Sequence, residues 1–307
     1  MGRRVALAVH PGSGQGAAAR IAGTVAERLR AEVDDLVLIT ADTPQRFREQ
    51  VAECRALGLD ALVVLGGDGA MHQAVQCCVD TEVALGLVPL GTGNDFARAL
   101  GLPTHPAKAV EDLLAALRSG RRRLVDVGRA EGVGSGTARR FGTVLCTGFD
   151  AAVNARANRL PWPSGARRYD VALIRELMSL RAQPIVVDTD AGRVTTEATL
   201  VAVGNTAFYG GGVPICPGAR PDDGLFDVTV VGRVSRLQLA RILPRLRTGA
   251  HVRHPAVHTL RASRVRIEVH GGDTEGGTRW PVFADGDELG TLPVAVTCTP
   301  EALHVLA

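Results

Sequence analysis

The chain has 307 residues, 46% of them hydrophobic and 4% aromatic, with a formal net charge of +3. That much apolar material builds one large or two ordinary cores and excludes a disordered chain. Scarce aromatics argue against a stacking platform for single strands, and so small a charge makes no case for nucleic acid.

Taken in order, Val5–Val9 reads as a strand and Ala17–Ala31 as a helix; Leu36–Thr40 and Pro44–Leu57 repeat the pair, as do Ala61–Leu65 and Met71–Asp80. Ala84–Val88 follows as a strand, then Asp95–Leu100 and Ala107–Ser119 as helices. Short apolar strands between helices predict a parallel sheet covered on both faces, with ligands beyond the carboxyl ends of its strands. From about Arg121 the pattern changes to short β-branched runs: Leu124–Val127, Phe141–Thr147, Ile185–Asp188, Ala198–Val203, Phe226–Val231, Val265–Val269, Pro281–Ala284 and Pro293–Thr297. These predict an antiparallel sandwich or barrel, interrupted by helices over Tyr169–Leu180 and Ser235–Leu246. The expected architecture is α/β, with an N-terminal parallel-sheet nucleotide domain (1–125) and a second, β-rich sandwich-like domain (126–297).

Six cysteines without metal-ligand or redox spacing read as reduced thiols of a cytosolic protein. Arg3-Arg4 before Val5–Val9 is too short for a signal segment, and no apolar run reaches the ~18 residues of a transmembrane helix.

Two turns carry the chemistry. Val63–Ala70 and Val88–Arg98 each follow an apolar run and set aspartate beside glycines. Glycine lets several N–H groups converge on a phosphate, and the aspartates suit magnesium, so together they point to a nucleoside triphosphate and phosphoryl transfer. Gly12–Ala17 fits the G-x-G-x-x-A dinucleotide pattern, but the second strand ends at Thr40 with Asp42 beyond it, a poor match to the acid that pattern expects. A phosphate-facing turn before a helix start remains open there. No G-x-x-x-x-G-K-[ST] occurs, which excludes a P-loop enzyme.

Gly66-Gly67-Asp68-Gly69 and Gly91-Thr92-Gly93-Asn94-Asp95-Phe96-Ala97-Arg98 resemble the GGDGT and GTxNDFxR elements of the diacylglycerol kinase catalytic-domain family, bacterial lipid kinases related to sphingosine and ceramide kinases. Phe149-Asp150-Ala151, Tyr209–Gly212, Pro217–Asp227 and Asp285-Gly286-Asp287 extend the resemblance through the chain. Three departures stand out: His10 before Pro11 where the family has asparagine, Ala70 for threonine, and Asp287 for glutamate.

The resemblance implies ATP and Mg2+ as cofactors. It implies nucleotide contacts at His10, Ser13, Gly14, Thr40, Gly66, Gly67, Asp68, Gly69, Ala70, Met71, His72, Gly91, Thr92 and Asn94. Asp68, Asp95 and Asp126 would hold the catalytic magnesium, although Asp126 also reads as an ordinary polar residue at a strand start. Asp223, with the main-chain oxygens of Arg220 and Leu225, would hold a structural ion, or form a plain Asp-Gly turn. The proton acceptor would be Asp285 or Asp287. The last residues, about 298–307, would return to the first domain.

The implied reaction is phosphorylation of a lipid hydroxyl, diacylglycerol first, with a sphingoid base, an isoprenoid or a specialised metabolite as other acceptors, or else a weakened nucleotide-binding regulator. The expected partner is a lipid at the membrane surface with no nucleic acid, the expected location cytoplasmic at the inner membrane face, and a homodimer is left open. Arg233–His254, rich in arginine and free of acid, and Pro161-Trp162-Pro163 before Arg167-Arg168, are the candidate membrane contacts, each also readable as ordinary packed or loop structure.

Overall fold

Apolar runs of five or six residues that alternate with amphipathic stretches fold as alternating strands and helices over the first part of the chain. The structure, a computed structural model, describes residues 3–10, 16–132, 138–160, 167–179, 181–271 and 280–307. They divide into two units: Met1–Val127 with Pro221–Asp223 and Thr299–Ala307, and Gly128–Arg220 with Gly224–Cys298.

In the first unit the order is β1 (Arg4–Val9), α1 (Ala17–Arg30), β2 (Asp35–Thr40), α2 (Pro44–Ala56), β3 (Ala61–Gly66), α3 (Asp68–Cys78), β4 (Ala84–Pro89), α4 (Asp95–Ala99) and α5 (Pro106–Ser119). The strands pair in parallel in the order β2-β1-β3-β4. Every residue of β3 and β4 is buried, as a doubly covered parallel sheet requires. Alternation along β1 serves both faces: Val5 and Leu7 pack with Ala18, Val25 and Leu29 of α1 and with α5, while Ala6 and Ala8 pack with Val51 and Val75 of α2 and α3. Thr43 caps α2, its hydroxyl accepting from Arg46 N at 3.2 Å with Pro44 at the first helical position.

Later elements are β5 (Arg122–Glu131), β6 (Arg139–Phe141), β7 (Val144–Gly148), α6 (Phe149–Arg159), α7 (Arg167–Met178), β8 (Gln183–Thr189), β9 (Gly192–Gly204), β10 (Phe208–Tyr209), β11 (Val213–Pro214), β12 (Phe226–Gly232), α8 (Arg236–Leu246), β13 (Val257–Ala262), β14 (Arg264–Val269), β15 (Pro281–Ala284), β16 (Asp287–Thr291) and β17 (Val294–Leu306). In the second unit the strand pairings are antiparallel. The long β9 organises them. Its first half pairs with β8, while its second half lies between β7 and β12 and is buried throughout. Phe141 and Phe226 stack at 5.8 Å within the core, and α6, α7 and α8 pack on a separate apolar cluster with Phe149, Ala172 and Ile242.

The structure differs from the expected elements in several places. The single strand expected over Phe141–Thr147 is broken at Gly142-Thr143, α6, β10, β11, β13 and β16 were not expected, the strand expected over Pro293–Thr297 runs on to Leu306, and the helix expected from Met71 begins at Asp68. Among the described residues no helix is long and apolar enough to cross a membrane. All six cysteines are buried and none is in a disulfide.

Candidate active site

The parallel strands of the first unit end at one edge. Val9 pairs with both Thr40 and Leu65, Leu65 with Val88, and Gly66 with Pro89. The exposed Thr40 is the last residue of β2, and just past the strand ends lie the exposed His10 and both glycine turns, the place where open α/β sheets bind ligands. Ser13 and Gly14, expected beside them, fall outside the described residues, as does Trp162.

The two turns press against each other. A Cβ on Gly91 would lie 2.8 Å from Gly67 Cα and 2.9 Å from Asn94 Oδ1, so a side chain there would prise the turns apart. Asp68 ties them. Its carboxylate accepts from Asn94 N at 3.0 Å and from Asp95 N at 2.9 Å, the amides that open α4. Asn94 has a left-handed backbone, φ 53, and closes its own turn: its side chain accepts from Gly91 N at 2.9 Å and donates to Gly91 O at 2.8 Å. Gly69 and Thr92 are exposed on these turns, while Met71 and His72 of the same expected set are buried. Ala70 packs against the sheet core, so the first turn of α3 closes without the family's threonine. A cavity of ≈ 10 Å³ lined by Val64, Leu87 and Phe96 lies beside the turns; it has room for one water and is no nucleotide pocket.

Whether these acids suit magnesium turns on their donors. Each Asp68 oxygen takes one amide and keeps further acceptor capacity, and Asp95 follows in the next turn. Among the described residues no three His, Cys, Asp or Glu side chains form a metal cage. That fits magnesium as it commonly binds, through one or two carboxylates completed by water and substrate phosphates. Asp126 is 1% exposed; its Oδ1 accepts from Glu301 N at 2.9 Å and its own amide donates to Pro221 O at 2.7 Å, so it joins β5 to two other segments of its unit. Of the second expected set, Asp223 belongs to the first unit, Arg220 and Leu225 to the second, and the neighbouring Asp222 pairs with Arg123 at 2.7 Å.

In the second unit the acidic turn between β15 and β16 separates the roles of its two acids. Asp285, at φ 51, accepts from Gly142 N at 2.9 Å, Thr143 N at 2.8 Å and Thr143 Oγ1 at 2.5 Å. These donors are why the expected strand breaks at Gly142-Thr143. Asp287, two residues on, is exposed at the start of β16. Asp285 is thus a bracket, and Asp287 is the acid presented to solvent.

Asp150 forms a third acidic feature, carrying a motif match but no assigned role in the sequence. It lies in the first turn of α6, hydrogen-bonded to Cys146 and Tyr209, and its Oδ2 is sealed from solvent without a partner. Burial pushes its carboxyl up to about 6 and raises the Tyr209 and Cys146 groups well above their usual ranges.

Comparison with known proteins follows the same division. The profile described as "Diacylglycerol kinase catalytic domain" matches residues 4–130, and "YegS C-terminal NAD kinase beta sandwich-like domain" matches 143–307. A protein of Mycobacterium tuberculosis named diacylglycerol kinase is 40% identical over 304 residues, 99% of this chain and 94% of its own. The chain belongs to the diacylglycerol kinase family. Kinase activity and use of ATP follow from that membership. A Bacillus subtilis protein of the same name is 26% identical over 249 residues, 80% of this chain and 77% of its own. A crystal structure described as a diacylglycerol kinase of Bacillus anthracis shares the fold, with TM-score 0.71 and 21% identity over 99% of this chain and 97% of that one.

Proposed function

We propose that this kinase transfers the γ-phosphate of ATP to the hydroxyl of a membrane lipid, diacylglycerol above all, to give phosphatidic acid. The observation that carries the reading is the Asp68 carboxylate holding the two glycine turns together at the carboxyl edge of the parallel sheet. Phosphoryl transfer asks a protein mainly to position phosphates and place charge around them, and a braced pair of turns does this without reorganising. The exposed turn residues Gly69 and Thr92 would face the phosphates, and Asp68 and Asp95 would hold magnesium, which would supply positive charge to the phosphates.

Asp287 is the proposed proton acceptor. It would orient the lipid hydroxyl and take its proton as the new P–O bond forms and the bond from the γ-phosphorus to the ADP oxygen breaks. Asp285 holds the turn that presents it. Diacylglycerol as acceptor is supported by the names of the relatives at 40% and 26% identity. The test is direct: purified protein, labelled ATP, magnesium and diacylglycerol in mixed micelles should yield labelled phosphatidic acid. Turnover of a sphingoid base or isoprenoid, with diacylglycerol inert, would replace the acceptor; binding of ATP without transfer to any lipid would replace the kinase with a regulator.

A further inference from the structure

Among the described residues six large apolar side chains remain exposed, and three of them lie on two helices that pack on the same apolar cluster: Ile174 (58%) and Met178 (60%) on α7 and Leu237 (61%) on α8. Ile174 and Met178 are four residues apart and share a helix face. The inward faces of both helices are satisfied, with Leu173 and Leu177 of α7 and Leu239 and Ile242 of α8 packing in one apolar cluster. The exposed three therefore contribute nothing to that core.

Strand register brings them near each other. Gln183, which opens β8, and Gly232, which closes β12, both stand opposite Ala198 of β9, one on each side. Strands lie about 4.8 Å apart, so Gln183 and Gly232 stand about 10 Å apart, with α7 shortly before the one and α8 shortly after the other. Between them is a groove of ≈ 710 Å³ lined by Arg181, Glu197, Arg233, Ser235, Arg236 and Gln238. Arg233 pairs with Glu197 at 2.6 Å, whereas Arg181 and Arg236 make no ion pair among the described residues. Arg175 and Arg241 are exposed on the flanking helices.

We propose that this patch, apolar at Ile174, Met178 and Leu237 and cationic at Arg181 and Arg236, docks the kinase on an anionic lipid bilayer. It rests on the lipid kinase reading and names the surface that reading needs. The charge selects the occupant. A twofold contact with a second copy would set this patch against itself, arginine facing arginine, while phosphate headgroups match the arginines and the acyl boundary takes the three apolar side chains. The inference also narrows the basic segment expected over Arg233–His254 to its beginning. Farther along, Leu239 and Ile242 are buried, and His251 is wholly buried with Nε2 3.0 Å from Ile215 O.

The test is sedimentation of the full chain with phosphatidylcholine vesicles, with and without phosphatidylglycerol, in the absence of ATP. Wild type should bind the anionic vesicles, more weakly as salt rises. Ile174→Ser/Met178→Ser/Leu237→Ser should weaken binding about a hundredfold, and Arg181→Gln/Arg236→Gln about tenfold, with a shallower salt dependence. Both variants should phosphorylate a dispersed short-chain diacylglycerol at the wild-type rate, which shows that they are folded. Wild-type vesicle binding by the triple variant overturns the proposal. So does a wild-type dimer that the triple variant dissociates while vesicle binding persists. Vesicle binding through the patch by a protein that phosphorylates no lipid would contradict the kinase reading and leave the docking surface standing.

Discussion

In the first unit one carboxylate, Asp68, reaches across 26 residues to hold a second turn; in the second unit Asp285 reaches across 142 residues to hold Gly142-Thr143. Both use backbone amides as donors, and each has a second acid close by: Asp95, whose own amide donates to Asp68, in one case and Asp287, two residues on, in the other. The difference lies in surroundings. Asp95 is 7% exposed at a helix start, whereas Asp287 is exposed at a strand start, a contrast that fits the separate roles proposed for them. Two neighbouring acids are therefore not equivalent groups.

The largest effect expected of breaking this arrangement comes from Asp68→Ala. Two amide hydrogen bonds to a charged acceptor disappear, the turns separate, and activity should fall below detection, with a stability loss of about 3 kcal/mol measurable by denaturant titration. Full turnover in a variant of wild-type stability would show that the brace is dispensable.

Next in size is the contrast within the second unit. Asp285→Asn keeps only part of the acceptor set for Gly142 and Thr143 and should lose about 1–3 kcal/mol. Asp287→Asn should leave the melting curve where it was. Equal melting of the two variants would remove the distinction drawn between bracket and base.

Gly91→Ala should follow, because the new methyl would lie 2.8 Å from Gly67 Cα. Overpacking of this kind costs about 1–3 kcal/mol, and here it should appear as a raised KM for ATP. An unchanged KM would mean that close contact of the turns is not what shapes the nucleotide site.

The last effect concerns pH. The folded Asp150 carboxyl titrates near 6, while unfolded aspartate titrates near 3.9. The folded state therefore takes the proton first as pH falls, so this group's stabilisation is present below about 4 and lost as pH rises through about 6. His251 acts oppositely: burial lowers its pKa, so falling pH favours the unfolded chain. Asp150→Asn should gain stability relative to wild type at pH 7 and lose that gain by pH 4. Parallel stability curves for the two proteins would contradict the assignment.

How far this could be read from sequence follows the same division of the molecule. Strands β3 and β4 are unbroken apolar runs because both faces are covered, and their expected bounds needed one added residue each. In β9 the first six residues alternate between exposed and half-buried, so only the buried second half was legible. β13 buries just its first and last residues, and α6 owes much of its buried face to alanine, too small a signal for a helical stripe. The glycine turns were legible because tight backbone needs glycine. The Asp285 bracket was not, because its donors are backbone amides far away in the chain and carry no residue signature.

The central claim is that this chain moves phosphate from ATP to a lipid hydroxyl with Asp287 taking the proton. The measurement that meets it most directly is transfer of labelled γ-phosphate to diacylglycerol by wild type and Asp287→Asn, with ATP affinity determined calorimetrically for both. The account predicts labelled phosphatidic acid from wild type, a fall in kcat of about 10²–10⁴ in the variant, and unchanged ATP affinity. Equal rates from the two proteins would contradict it.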